Sequence, residues 1–261
     1  MEEDSDNILS FMASNSLVAN ASKTTVIFLN VKQAIDIPVR VGKSIVKSEA
    51  TATLLGMNMN NKLNWKNHTS KLISSLNKKL FLLKRLKRTV DEKSLIKIAH
   101  AIFNSKLRYG IQLIGRIRMN NEDTLNNELN DLQKTQNKML RLITNTRLKD
   151  RKRTEELLEH CNMLSVNQAM FQVKMVETWK ALNNRDGPVK IGIQICEQGQ
   201  IETRLTTSGK LIENGISNLS QATCLNDAAR VWNKLPNKVK ESGSINVLKT
   251  RLKSVLKTIP I

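Results

Sequence analysis

The 261-residue chain carries 42 Lys and Arg against 23 Asp and Glu, a net charge of +19, with 40% apolar and 25% charged residues. This composition is typical of a globular protein, and the length is sufficient for one large domain or two smaller ones. Three widely spaced cysteines argue against a disulfide framework and for a reducing, intracellular compartment (nucleus or cytoplasm). The acidic N-terminus does not fit a signal peptide. Without an apolar run of ~20 residues, no membrane span is predicted.

The first sixty residues predict a short helix and a small sheet. Apolar side chains recur at helical spacing within residues 7–19. Residues 25–29 form an apolar run typical of a buried strand, and residues 35–59 contain two more strand-like segments, 37–41 and 50–57, around a turn at Gly42. We expect this hairpin and the strand at 25–29 to form one small antiparallel sheet.

Most of the chain from about residue 66 to residue 183 has helical periodicity. Residues 67–88 place leucines on one stripe and cations on another, so we expect a helix that buries the leucines. The next helix should begin at Thr89 or Asp91 and end before Gly110. Further helices are predicted over residues 122–145, 154–160, 165–182, 222–234 and 244–258, and the third of these opens with a capping box from Ser165 to Gln168.

The pattern as a whole predicts a mainly α protein with a small antiparallel β element (α+β). It divides into an N-terminal part with the hairpin, a basic helical part, a helical extension, a polar linker and C-terminal helices. Their expected bounds are residues 1–61, 62–153, 154–188, 189–221 and 222–261.

The positive charge is concentrated in the second of these parts. Residues 62–153 hold 23 Lys and Arg against 7 Asp and Glu, whereas residues 1–61 hold 5 against 6 and residues 154–261 hold 14 against 10. Such a block repels itself unless it faces an anion, and a polyphosphate is the usual partner. A soluble basic face without a specific partner is the alternative interpretation of the same pattern.

The sequence predicts no catalytic set and no metal site. His68, His100 and His160 are isolated from one another, and although His160 is adjacent to Cys161, nothing nearby completes a zinc-ligand set. With 3% aromatic residues, the tryptophans are expected to fill the core rather than to stack on bases.

Five stretches resemble, in the same order, motifs of the reverse transcriptases of non-LTR (jockey-like LINE) retrotransposons. In family notation they are N-x-L-x-x-N-x-x-K-T…F at 15–28, Y-L-G-hydrophobic…L-x-W-x-x-H at 54–68, L-x-Y-G at 107–110, L-x-x-x-Q-N-x-x-L-R-x-I-T at 132–144, and R-A-A-R-x-W-N-x-L-P at 227–236, where this chain has Leu54 for the Tyr and Asp227 for the first Arg. The chain departs from the pattern at Thr53, where an aromatic residue is usual, and at Ile114, where a tryptophan is common.

The resemblance implies a partial polymerase palm followed by a helical thumb and a helical tail. It places Leu55 and Gly56 in a primer-grip-like hairpin and Lys23 at a palm position suggested to assist the leaving group. The intact family enzyme uses Mg²⁺ held by an aromatic-Ala-Asp-Asp strand and an earlier Asp. No Asp-Asp pair occurs in this sequence, so we expect a chain that lies downstream of that strand, needs no cofactor and does not polymerise by itself.

The expected function is therefore sequence-tolerant binding of an RNA–DNA or DNA duplex, without a membrane partner and with an intact polymerase as a candidate second partner. An independent basic helical DNA-binding protein and an inert relic of a retroelement are the alternatives. The phosphate contacts are expected from cations of the helix at 67–88 and its end, namely Lys71, Lys78, Lys79, Arg85, Lys87 and Arg88.

Overall fold

The computed structural model describes residues 2–29, 38–42, 44–115, 127–183 and 224–256. The chain divides into two compact units, Met1–Leu72 and Ile73–Ile261. The described residues are mainly helical with small antiparallel sheets, so the predicted fold class is confirmed. The linker expected at 189–221 lies outside the described residues.

The described part of the first unit contains one α-helix, a short 3-10 turn and two β-hairpins before the start of a second α-helix. Helix α1 spans Glu2–Ser14. Strand β1 (Val39–Val41) pairs with β2 (Ser44–Val46), and β3 (Thr51–Leu54) pairs with β4 (Met57–Asn60), both antiparallel. The strands therefore form two separate two-stranded sheets rather than the single sheet that the sequence predicted.

The strand predicted at residues 25–29 is not formed. Val26 makes one isolated parallel bridge to Ser48, and no other residue of the run pairs. The predicted strand over residues 50–57 is also divided, because Leu55 and Gly56 both have positive φ, +48° and +78°, and turn the chain between β3 and β4. An apolar run predicts an extended backbone but does not specify a partner strand, which is why both predictions were wrong.

The second unit is helical throughout its described part. Helix α2 (Lys66–Leu86) contains residues of both units. The other helices are α3 (Glu92–Ala99), α4 (Ser105–Arg108), α5 (Ile111–Ile114), α6 (Asn127–Ile143), α7 (Thr154–His160), α8 (Val166–Asn183), α9 (Cys224–Lys234), α10 (Asn237–Lys240) and α11 (Ile245–Leu256).

The run from α3 to α4 begins and ends where the sequence predicted. Asp91 caps α3 by accepting a hydrogen bond from the backbone N–H of Ser94 at 3.2 Å, and the hydrogen bonds from Ser94 lower the pKa of the Asp91 carboxyl. A π-helical turn, His100–Asn104, joins α3 to α4. Gly110 adopts φ +69° after α4, a conformation that glycine enters without steric cost, and so ends the run.

Helix α8 is the centre of the second unit. It contacts the short helices α4 and α5, the long helix α6, and the C-terminal helices α9 and α11. Its buried residues lie on all sides of the helix, among them Phe171 and Met175 with no exposed surface. Because its buried residues face every direction, α8 is the helix around which the others pack.

Candidate nucleic-acid interface

Helix α2 separates buried leucines from exposed cations, as its sequence pattern predicted. Leu76 and Leu83 are fully buried. Lys78 and Arg85 are exposed on the opposite side, and Lys84 is exposed beside the buried leucines. The chain contains no Asp or Glu between Glu49 and Asp91, so α2 itself supplies no carboxylate to neutralise them.

We define the α2 face as the cations of this helix and its end that lie within the second unit and have no described polar partner. Lys78, Lys84, Arg85 and Arg88 are exposed and Lys79 is half-buried. Within the described part of the chain, none of these side chains takes part in a hydrogen bond or an ion pair. Among the described residues, no polar group neutralises these cations. The members are Lys78, Lys79, Lys84, Arg85 and Arg88.

Lys71 and Lys87, which the sequence placed in the same set, both make internal hydrogen bonds. The Lys71 ammonium, in the first unit, donates to the side-chain oxygen of Asn58 at 2.6 Å. The Lys87 ammonium donates to the carbonyl oxygen of Leu142 at 2.7 Å and to the side-chain oxygen of Asn145 at 3.0 Å. Their role as phosphate contacts stays a prediction, and each would have to share its ammonium with these oxygens.

The contacts of Lys87 bring a second basic element next to the end of α2. Leu142 lies in the last turn of α6, and the chain continues from there into residues 147–153. We call this segment the basic loop. It holds five cations and one carboxylate, and all seven residues are exposed. Its cations are Arg147, Lys149, Arg151, Lys152 and Arg153.

The basic loop is held by hydrogen bonds to its own backbone. The backbone N–H of Arg147 donates to the carboxylate of Asp150 at 2.6 Å, within a short 3-10 turn. The guanidinium of Arg141, on α6, donates to the carbonyl oxygens of Arg147 at 3.3 Å and Lys152 at 3.4 Å. Arg141 thus bridges both ends of the loop and leaves the loop's side chains directed to solvent.

Sequence reasoning did not include the basic loop among the contact residues. The cations of α2 repeat at helical spacing, whereas the basic loop is irregular. Five cations within seven residues at 147–153 were the signal that could have identified it.

The remaining predicted positions lie in the first unit. Leu55 and Gly56 form the two-residue turn of the β3–β4 hairpin and are exposed. Lys23 is exposed at the end of a short 3-10 turn. A hairpin with Leu-Gly at its tip is therefore present, and its assignment to a primer grip stays a prediction.

The isolated histidines make structural hydrogen bonds. His68 is buried, and its Nδ1 accepts a hydrogen bond from the backbone N–H of Asn58 at 3.3 Å. His100 Nε2 lies 3.1 Å from the carbonyl oxygen of Cys161, and His160 Nε2 lies 2.5 Å from a carboxylate oxygen of Glu92. Across the described ranges, no group of three His, Cys, Asp or Glu residues is placed to hold a metal ion.

A polar pair joins α4 to α8, since Arg108 is the last residue of α4 and Gln172 lies on α8. The guanidinium of Arg108 donates to the side-chain oxygen of Gln172 at 2.7 Å, and burial lowers the pKa of that guanidinium. Gln172 is buried, so the pair satisfies two polar groups within the helical core.

In the part of the chain that the structure describes, no helix is both long enough and apolar enough to cross a membrane.

No protein-family model, no curated protein and no solved structure matches this chain. The described residues by themselves define a mainly α fold with small antiparallel hairpins and an exposed basic surface.

Proposed function

We propose that this chain binds the backbone of a nucleic-acid duplex through the α2 face and the basic loop. The observation that carries the proposal is the set of exposed cations on α2 that have neither a carboxylate on their own helix nor a polar partner among the described residues. On a soluble protein, charges of both signs are normally interspersed, so that a large field of one sign does not arise. A polyanion relieves the mutual repulsion of these cations and gains from releasing its own counterions.

The arrangement favours contacts to phosphate rather than to base edges. The α2 face consists of Lys and Arg around the exposed part of a helix whose leucines are buried, and the basic loop is irregular. Phosphate contacts position a duplex and carry no sequence information. We therefore propose binding that tolerates any sequence.

We further propose that the chain corresponds to the end of the palm, the thumb and the tail of a non-LTR retrotransposon reverse transcriptase. Support comes from the five motifs in the family's order, and from the coincidence of the thumb-like stretch with the basic residues 62–153. The sequence has no Asp-Asp pair of the kind on which the family's two-metal chemistry depends. In this proposal the chain binds a template–primer duplex without extending it.

The test is a salt titration of binding to a labelled 20-base-pair duplex by fluorescence anisotropy. The variant K78E/R85E reverses two exposed cations of α2, and K238E/K249E reverses two exposed cations of α10 and α11 as a control of identical net charge. The slope of log K against log salt falls by about 0.9 for each phosphate that the protein no longer neutralises. We expect K78E/R85E to lower the slope by about 2 and the control to leave it unchanged.

Three outcomes would contradict the proposal. Equal slopes for the parent and K78E/R85E would show that the α2 face does not contact phosphate. A strong preference among unrelated duplexes in competition would favour a sequence-specific DNA-binding protein instead. Incorporation of nucleotides on a primed template with Mg²⁺ would contradict the proposed lack of polymerase chemistry.

A further inference from the structure

Phe81 stands exposed in the middle of the α2 face. Its side chain is 65% exposed, while the leucines on the other side of the helix are buried. Residues three and four positions away lie beside it on the helix surface, at about 5–6 Å between Cβ atoms. These neighbours are Asn77, Lys78, Lys84 and Arg85.

The exposure of Phe81 distinguishes it from the tryptophans of the chain. Trp232 is buried, and Trp65 and Trp179 are half-buried. Trp179 also donates its indole N–H to the carbonyl oxygen of Ser242 at 3.0 Å. The tryptophans are thus wholly or partly buried, whereas the ring of Phe81 is largely exposed to solvent.

We propose that Phe81 stacks on an unpaired base next to the duplex, while the cations around it hold the flanking phosphates. This inference rests on the proposed function. The favoured ligand is a duplex that continues into a single strand, since an unpaired base exposes a ring face that a paired base inside the stack does not. Aromatic stacking beside cations is how proteins bind single-stranded nucleic acid without reading its sequence.

The burial of the apolar side of α2 favours this occupant over an anionic membrane. A helix that lies on a membrane inserts a broad apolar face between lipids. The broad apolar face of α2 is buried within the protein, at Leu76 and Leu83. Only Phe81 and Leu82, the latter 46% exposed, are left outside on the described α2 helix in the second unit. Two apolar side chains about 100° apart around the helix do not make a membrane-binding face.

The experiment compares two labelled nucleic acids with the full chain. One is a blunt 20-base-pair duplex, and the other is the same duplex with a six-nucleotide single-stranded extension. The first unpaired base of the extension is 2-aminopurine, whose fluorescence is quenched on stacking. The variants are Phe81→Ala, Phe81→Trp and, as a matched control for an exposed apolar side chain, Leu82→Ala.

We expect the parent to bind the extended duplex more tightly than the blunt one and to quench the 2-aminopurine. Phe81→Ala should reduce this preference at least about fivefold and remove the quenching. Phe81→Trp should retain both, and Leu82→Ala should behave as the parent. Because Phe81 is exposed, the Ala variant is expected to fold, and its circular dichroism and unfolding midpoint verify this.

The outcomes separate this inference from the proposed function. If the parent binds both nucleic acids equally, or Phe81→Ala keeps both the preference and the quenching, stacking by Phe81 is wrong while duplex binding stands. If K78E/R85E binds the blunt duplex as the parent does, the proposed function itself is wrong. Tighter, Phe81-dependent binding to phosphatidylserine vesicles than to either nucleic acid would replace both with a membrane role.

Discussion

The ammonium of Lys87 donates a hydrogen bond to the carbonyl oxygen of Leu142, 55 positions later in the chain, at 2.7 Å. The last four carbonyls of a helix have no partner within it, and a cation near them also meets the negative end of the helix dipole. Lys87 therefore caps the C-terminal turn of α6 and connects that turn to the end of α2. Lys84, three positions earlier, has no such contact among the described residues and is exposed.

Replacing Lys87 with Met keeps the aliphatic stem and removes the ammonium. The Leu142 carbonyl is then left without its charged donor, and we expect the free energy of unfolding to fall by about 1–2 kcal/mol. Lys84→Met is the matched control, for which we expect a change within about 0.5 kcal/mol. Urea denaturation of both variants, followed by circular dichroism, measures the difference.

In nucleic-acid binding the order should reverse, with Lys84→Met affected more than Lys87→Met. Lys84→Met removes an unpaired cation of the α2 face and should lower the salt slope by about 1. Lys87→Met should lower it less, because that ammonium already serves two protein oxygens. A Lys87→Met protein that unfolds with the parent but shows the larger decrease in slope would contradict the capping role.

Arg141 is expected to keep the basic loop in order. Its guanidinium reaches the carbonyls of Arg147 and Lys152 at once, a span that a lysine ammonium cannot cover with one nitrogen. Both Arg141→Gln and Arg141→Lys should therefore speed hydrogen exchange of the amides at 147–153. Because these bonds contribute about 0.5–1 kcal/mol to the order of the loop, duplex affinity should fall about threefold without them.

The control for this prediction is Lys138→Gln, an exposed cation one turn earlier on α6. It changes the charge as Arg141→Gln does and leaves the loop's hydrogen bonds intact. Unchanged exchange at 147–153 in Arg141→Gln would show that the loop does not depend on the guanidinium. A threefold fall in affinity in Lys138→Gln as well would assign the effect to charge alone.

The capping box of α8 is a second stability prediction. The backbone N–H of Gln168 donates to the hydroxyl of Ser165 at 3.2 Å, and the backbone N–H of Ser165 donates to the Gln168 side-chain oxygen at 3.1 Å. Ser165→Ala should lower the free energy of unfolding by about 1 kcal/mol, since α8 organises the second unit. Asn167→Ala, exposed between the two, should not lower it by more than about 0.5 kcal/mol, and thermal unfolding compares the pair.

This capping box was predictable because both partners lie within four residues of each other. The same is true of the Asp91 cap, the end of the α3–α4 run at Gly110, and the leucine and cation stripes of α2. Each depends on side chains or dihedral preferences that are local in sequence.

The features that the sequence did not predict depend on distant partners. Val26 pairs with Ser48 across a gap of 22 positions, so the extent of that strand could not be deduced from its own apolar run. Lys87 was expected to face phosphate, and its carbonyl partner lies 55 positions away. Phe81 fits the helical period of α2, and its exposure becomes visible only once the buried side of the helix is fixed by packing.

Cys161 should make stability fall at high pH. Its side chain is fully buried, and burial, with a smaller contribution from the charge of Glu92, raises the pKa of the thiol from 9.0 to about 11. Well below pH 9 the thiol is protonated in both the folded and the unfolded chain, so it contributes no pH dependence there. Between pH 9 and about 11 the unfolded chain loses the proton first and is favoured. The free energy of unfolding should therefore fall with a slope of up to about 1.4 kcal/mol per pH unit from this group.

The measurement is urea denaturation at several pH values from 8 to about 10.5 for the parent and Cys161→Ala. The alanine variant is expected to be less stable at every pH because it leaves a cavity, but this offset does not depend on pH. Removing the thiol removes its linkage, so the two curves should converge as the pH rises. Parallel curves would show that the thiol ionises at the same pH in the folded and unfolded chains, and would contradict the effect of burial on its pKa.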